Sequence, residues 1–460
     1  MSNKITTDTE RRIIDDFAKE IDTKKEPGNV PEHDVIEFRN DRILKKARPI
    51  YLVPVKLLRF RKDNGRIASD ITSYEKQHGR LDETLEKTQE IIRNILKEKD
   101  EENNTKLSKS IELSGQNYAA IITCDGFLIN GNRRKMAIED LFEKTKDNKY
   151  ATMKVVILPG KNDKDGGPPT IKEIEQIENR YQLQSDGKSE YTNFDRAISI
   201  QRKINAGMSL EEQLRDDPSH VGLSDKEFNK VMQKYREEFL GPLECIDRYL
   251  EQLDRNGLYD NISEGRTDRE GRWYSFIDYY KVYKQLQDEK RRTELGVEED
   301  EVGDIEDVAF KIIRQKDFPE YKTHEVIRKL PKILKSGGIA KKELMKITAA
   351  THDLKGKYND DEKPKDIDKH WAKENGTLII GRVKEAIRRV EHEKETETPI
   401  TLLQDALKKL NHDNMEPDTI DPFKVEDAIK LCREIQGTAS ELENTFDHLR
   451  QKFKKLIKKK

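Results

Sequence analysis

Residues 114–141 read SGQNYAAIITCDGFLINGNRRKMAIEDL. Two apolar runs flank Asp125-Gly126, and an Asp-Gly pair in that setting predicts a β-hairpin, because glycine takes a positive φ without steric cost. From Asn132 onward the apolar spacing turns helical. The hairpin therefore delivers the chain into Asn130-Gly131-Asn132-Arg133-Arg134 at the start of a helix. The first turn of a helix offers unpaired N–H groups and the positive end of the macrodipole, which suit a phosphate. Gly131 lets the backbone approach an anion closely, and Arg133 and Arg134 add planar donors that match phosphate oxygens. The same residues also read as a tight turn carrying two surface arginines.

Working outward, YLVPVKLLRF (51–60) is the first strongly apolar stretch, and its β-branched residues and Pro54 predict an edge strand. Asn64-Gly65-Arg66 follows as a turn. Leu81, Leu85, Ile92, Ile95 and Leu96 predict an amphipathic helix, and 97–106 a polar loop or helix extension. MKVVIL (153–158) predicts a buried strand and 160–169 a loop. Thr170, with Glu173 three residues on, predicts a capping box. The helix it opens ends in Glu178-Asn179-Arg180, with Gln182 and Gln184 beyond. A carboxylate beside a carboxamide can hold Mg²⁺ and orient a water near a phosphate, although such triples also arise on any solvated helix.

Taken in order, these motifs resemble the ParB/sulfiredoxin superfamily, its ParB branch in particular, over residues 50–184. That family opens on an apolar strand and an Asn…Arg turn, here YLVPVKLLRF and Asn64…Arg66. A Gly-x-x-x-Gln-type stretch follows, here shortened to Ser114-Gly115-Gln116, and then Gly-Glu-Arg-Arg-x-x-Ala, here Gly131-Asn132-Arg133-Arg134-Lys135-Met136-Ala137. A strand and a helix bearing Glu-Asn complete the series, here MKVVIL and Glu178-Asn179. The resemblance implies that Gly131, Asn132, Arg133 and Arg134 bind the triphosphate of CTP, with Arg66, Gly115 and Gln116 lining the pocket. It implies that Asn179 helps hold Mg²⁺ and that Glu178 supports slow hydrolysis. Asn132 stands where the family has glutamate, and 97–113 reads as an insertion. Relatives in the superfamily use ATP, so CTP and ATP both stay open. Sulfiredoxin needs a cysteine where Asn132 stands, so its activity is not expected.

The implied fold is an α+β N-terminal ParB/sulfiredoxin-like domain followed by a predominantly α-helical region. The expected divisions are a charged arm (1–45), the nucleotide-binding domain (46–185), a helix-turn-helix-like module (186–260) and a C-terminal helical domain with a basic tail (261–460). Ala197, Ile200 and Ile204 form a helical stripe, and Ser209 and Ser224 are candidate N-caps. The helix after Ser224 is the candidate major-groove reader, with Lys226, Asn229, Lys230, Gln233 and Lys234 suited to phosphate and base contacts. Glu211, Glu212, Asp216 and Asp217 lie close by and would repel DNA. RWYSFIDYYKVY (272–283) reads as core or as a stacking platform, and His370-Trp371 as packing. Leu442, Phe446, Leu449, Phe453 and Leu456 form a heptad-like seam read as a packed terminal helix, followed by the basic end of the chain.

The composition narrows the class. Of 460 residues, 39% are charged against about 25% on average, which favours long solvated helices over a large sandwich or barrel. With 88 basic and 90 acidic side chains the net charge is −2, which argues against a uniformly basic DNA coat and leaves room for a local patch. Three distant cysteines form no CxxC pair, and the histidines form no HxxxH pair, so zinc knuckles, redox dithiols and zincin helices are not expected. Sparse cysteine fits a reducing cytosol, and no apolar run approaches a membrane span or a signal core. The reading is a cytoplasmic nucleotide-dependent switch or clamp, a homodimer acting on double-stranded DNA without a membrane partner. The alternatives are an enzyme using the same site for phosphoryl transfer or nucleic-acid cleavage, and a scaffold with a degenerate nucleotide site.

Overall fold

A computed structural model of the chain describes residues 11–28, 32–99, 101–183, 192–205, 207–262, 266–335, 338–350, 364–412 and 415–457. Gln184 and the last three lysines of the tail lie outside them. The chain divides into two compact units, Met1–Val390 and Glu391–Lys460. It is mostly helical, with one small mixed sheet near the N-terminus.

The sheet is built from β1 (Glu26–Pro27), β2 (His33–Asp34), β3 (Arg48–Pro54), β4 (Ala120–Ile122), β5 (Leu128–Asn130) and β6 (Thr152–Ile157). Its order is β1-β3-β6-β4-β5, with β2 also on β3. β3 and β6 pair antiparallel with Tyr51 opposite Val155, whereas β4 and β6 run parallel. β4 and β5 form the expected hairpin, with Gly126 at φ +85° in its turn. Apolar alternation divides the sheet between two layers, since a strand has a period of two. Ala120, Ile122, Leu128, Met153 and Val155 face one core with helices α2 (Ala68–His78), α3 (Glu86–Lys99) and α5 (Asn132–Thr145). Ile121, Ile129 and Val156 face a second core, under Ile36, Phe38 and helix α6 (Ile171–Leu183). The segment 97–113, read from sequence as an insertion, forms most of helix α4 (Glu101–Ser114), which packs along α5.

The N-terminal segment differs from a free arm. Helix α1 (Asp15–Lys24) buries Ile21 in the first core, and β1 and β2 extend the sheet. Asp125 is fully buried in the hairpin turn. Its carboxylate accepts from Arg11 Nη1 through both oxygens at 2.8–2.9 Å, from the Ile14 N–H at 3.0 Å and from the Thr123 hydroxyl. Asp125 therefore ties the start of the described chain to the turn, besides setting its shape.

The helical part runs through α7 (Asn193–Asn205), α8 (Leu210–Arg215), α9 (Asp225–Tyr235), α10 (Gly241–Gln252), α11 (Arg266–Gln287), α12 (Glu289–Glu294), α13 (Val302–Gln315), α14 (Thr323–Lys335), α15 (Ile339–Met345) and α16 (Pro364–Leu410). One core joins Phe194 on α7 to Ile387 on α16, so no break falls at residue 260. Phe194 meets Trp273 edge-on at 4.8 Å, and Trp273, Phe276 and Tyr279 are all buried. The aromatic run 272–283 is thus mainly core, with Tyr274 exposed. Trp371 is buried beneath the Arg314 guanidinium, which also bonds Asp368 at 2.8 Å. The second unit holds helix α17 (Val425–Ile457). Its seam residues Leu442, Phe446, Leu449 and Phe453 are exposed, against the expectation of a packed terminal helix.

Removing one partner of a buried ion pair costs about 3–5 kcal/mol, because the other charge stays desolvated. Asp125→Ala is expected to lower the unfolding free energy by about that amount in urea titrations.

Candidate nucleotide-binding site

The turn between β5 and α5 is set by a steric constraint. Gly131 has φ +105°, and a Cβ there would stand 2.6 Å from Ala120 Cβ on the neighbouring strand. Only glycine fits both the backbone angle and the gap. Gly131 is also the N-cap of α5, where no side chain caps the helix, so the first N–H groups of α5 have no side-chain acceptor at that position.

Three side chains crowd this helix start. Asn132 is buried, and its carboxamide oxygen takes no hydrogen bond. Arg133 Nε donates to Asn104 Oδ1 of α4 at 2.7 Å. Arg134 donates to the carbonyls of Tyr118 and Ala119 and to Asn130 Oδ1 at 2.7 Å, all neutral oxygens. Burial without a carboxylate pushes the Arg134 guanidinium down to about 10. Next in line, Lys135 turns inward over the Phe60 ring and pairs with Glu139. The rim is made by Gly115 and Gln116. Gly115 ends α4 at φ +71° with open space around it. Gln116 braces strand β6, accepting from Lys154 N–H and donating to Lys154 C=O, both at 2.8 Å. Its carboxamide thus serves the sheet.

The Asn64 turn and the Glu178 helix come together. Asn64 caps the short 3-10 turn Gly65–Ile67 that carries Arg66, and the Gly65 N–H donates to Glu178 Oε1 at 2.7 Å. Arg61 bridges Glu175 at 3.2 Å and Glu178 at 3.8 Å. The same face of α6 is tied to the helical part. Arg202 reaches Glu175 at 3.3 Å, Lys203 donates to Asn179 Oδ1 at 3.3 Å, and Asn179 Nδ2 donates to Gln213 C=O at 2.9 Å. Burial pushes the Lys203 ammonium below its usual value, with Glu175 and Glu178 pulling it back. Both ends of the Asn179 carboxamide are therefore engaged by protein, and among the described residues no group of three or more His, Cys, Asp or Glu is placed to hold a metal.

On the helical side, Ser209 and Ser224 both form complete capping boxes, with Glu212 and Glu227. Glu212 pairs with Lys172 and Asp216 with Arg180, while Glu211 pairs with Arg215. Three of the acids that would repel DNA are thus paired. Lys226, Asn229, Lys230, Gln233 and Lys234 are all exposed on α9, and Phe228 is buried behind them. The link from α8 to α9 spans residues 216–224, longer than the roughly 3–4-residue turn of a helix-turn-helix.

Sequence reasoning missed Asn104, Arg61, Glu175 and Lys203. For Arg61, Glu175 and Lys203 the only signal was charge beside apolar neighbours, which a highly charged chain repeats throughout, and Asn104 sits in a polar run with no signal of its own. Cys124 is half-buried in the hairpin loop, and burial pushes its thiol up to about 11. A groove of about 730 Å³ between α15 and α16 is lined by Glu343, Glu374 and Glu385 with Arg382, a balance that disfavours phosphate.

Gly131→Ala combines a left-handed backbone cost of about 1–2 kcal/mol with overpacking of about 1–3 kcal/mol. The expected outcome in chemical denaturation is a destabilisation of at least about 2 kcal/mol, the sum of the two lower bounds. Comparison with protein-family models, curated proteins and solved structures returned no match for this chain.

Proposed function

We propose that the start of α5 binds a nucleoside triphosphate, CTP or ATP, and that the bound nucleotide acts as a ParB-like switch. The observation that carries this reading is a mixed set of unmet needs at one helix terminus. The first N–H groups of α5 and the Arg134 guanidinium seek an anion, while the buried Asn132 oxygen seeks a donor. A bare phosphate supplies only acceptors. A nucleotide supplies phosphate oxygens together with hydroxyl and exocyclic amino donors. Arg133, half-buried and held by Asn104, stands beside these groups. Exposed Tyr118, whose carbonyl receives Arg134, offers a ring for a base to stack on.

Mg²⁺ fits this site as the counter-ion of the phosphates, supplying charge neutralisation, since the protein carboxylates nearby are already engaged. Glu178 is tied to the Gly65 N–H and to Arg61, so this reading gives it no step in hydrolysis. The switch works by differential affinity for two arrangements of the Asn64 turn, α6 and the α7–α8 pair. Its output is the exposed face of α9 on double-stranded DNA, within a homodimer. Lys226, Lys230 and Lys234 supply phosphate contacts there, and Asn229 and Gln233 polar contacts.

Calorimetry with CTP, ATP, GTP and UTP plus Mg²⁺, each with and without duplex DNA, tests this directly. One pyrimidine or purine triphosphate is expected to bind selectively. Each charged hydrogen bond is worth about 1.5–3 kcal/mol, so the Arg133→Ala, Arg134→Ala double variant should bind at least about a hundredfold more weakly. Unchanged affinity in a folded double variant would overturn the site. For DNA, replacing Lys226, Lys230 and Lys234 by Ala should flatten the dependence of log affinity on log salt by about 0.9 for each phosphate no longer neutralised.

A further inference from the structure

Helix α17 carries an apolar stripe that steps by three and four residues from Val425 to Phe453, four heptads in a single helix. Over that length such a period marks a coiled-coil seam. The large residues of the stripe are exposed along the whole helix, and so are the polar residues around them. Its two halves differ in kind. The first half presents Ala428, Cys432, Ile435 and Ala439, and the second Leu442, Phe446, Leu449 and Phe453. Charge divides in the same place. Residues 425–441 hold four acids against two bases, and 442–457 four bases against two acids.

We propose that α17 is a dimerisation helix that pairs antiparallel with α17 of a second copy of this chain. Facing positions a and d then bring Ala428 onto Phe453, Cys432 onto Leu449, Ile435 onto Phe446 and Ala439 onto Leu442 of the partner subunit. Each layer joins a smaller residue to a larger one, as close packing requires. The acidic half of one helix lies along the basic half of the other. A parallel pair would stack Phe446 and Phe453 on themselves, leave voids at Ala428 and Ala439, and set like-charged halves side by side. The end of α16 also shows a short seam, Ile400, Leu403, Leu407 and Leu410, likewise exposed. Folded back through residues 411–424, that stretch of about 16 Å would meet only the small-residue half of a helix about 50 Å long. A second α17 covers the whole stripe. This pairing needs no nucleotide, so it and the nucleotide reading can fail separately.

The test uses the full chain without nucleotide. Light scattering coupled to size exclusion is expected to give twice the 53.8 kDa chain mass, and a monomer would overturn the proposal. The Phe446→Asp, Leu449→Asp double variant is expected to be monomeric with an unchanged melting temperature for the first unit; a persisting dimer would move the interface elsewhere. Orientation is read by copper–phenanthroline oxidation in a Cys124→Ser background. A Leu449→Cys variant should form a covalent dimer through Cys432 of the partner subunit. Adding Cys432→Ser should abolish it, because residues 449 of the two copies would be about 25 Å apart. Covalent dimer through Cys432 alone, or through position 449 alone, would establish a parallel pair and refute the antiparallel register.

Discussion

Helix α6 spends its two faces on different parts of the molecule, and both parts depend on it. Ile174 and Ile177 close the second core beneath β4, β5 and β6. A neighbouring face carries Glu175, Glu178 and the half-buried Asn179 into a polar layer with buried Arg61, Lys203 and Gln213. Charges taken out of water are tolerated only when each finds opposite charge and hydrogen bonds. Here Glu175 meets both Arg61 and Arg202, Glu178 meets Arg61, and Lys203 bonds the Asn179 carboxamide. The layer is rigid for that reason. A displacement of α6 by an ångström would strand several charges at once, so the Asn64 turn, α6 and α7 move together or not at all.

Such a layer fits the proposed switch better than a hydrolytic centre. Its carboxylates are spent on structure, and its geometry has few intermediate arrangements. The proposed site at the start of α5 adjoins α6 through β5, whose Ile129 packs with Ile174 and Ile177. Under the proposed function, that contact is the route from the first turn of α5 to the helices carrying the exposed lysines of α9.

Much of this was legible in the amino-acid order because the signals are local. Asp125-Gly126 between apolar runs specified the hairpin, and glycine's freedom at 126 and 131 is what makes both turns possible. The capping box at Thr170 and the N-caps at Ser209 and Ser224 were readable locally, and the structure completes the latter two as boxes with Glu212 and Glu227. What was not legible spans the chain. Arg11 with Asp125 and Arg61 with Glu175 are each 114 residues apart. Among so many charged side chains, nothing in the order of residues says which few are buried together. Gln116 shows the same limit, since a carboxamide beside a glycine reads as pocket lining until it is seen to bond both Lys154 backbone groups of β6 and the Tyr118 carbonyl.

The sequence by itself determined the elements: a small sheet, a hairpin entering an arginine-bearing helix, a long helical remainder and a C-terminal seam with a seven-residue period. Those follow from backbone preference and from periodicity, which act over a few residues. Only the tertiary structure decided the fate of the charges. It buried Glu178, engaged both ends of the half-buried Asn179 carboxamide, left Asn132 without a hydrogen bond to its oxygen beside an uncapped helix start, paired three of the four acids near α9 and kept the α17 stripe exposed. Burial of a polar group depends on which distant partner the fold supplies, and that information appears only when the chain has closed on itself.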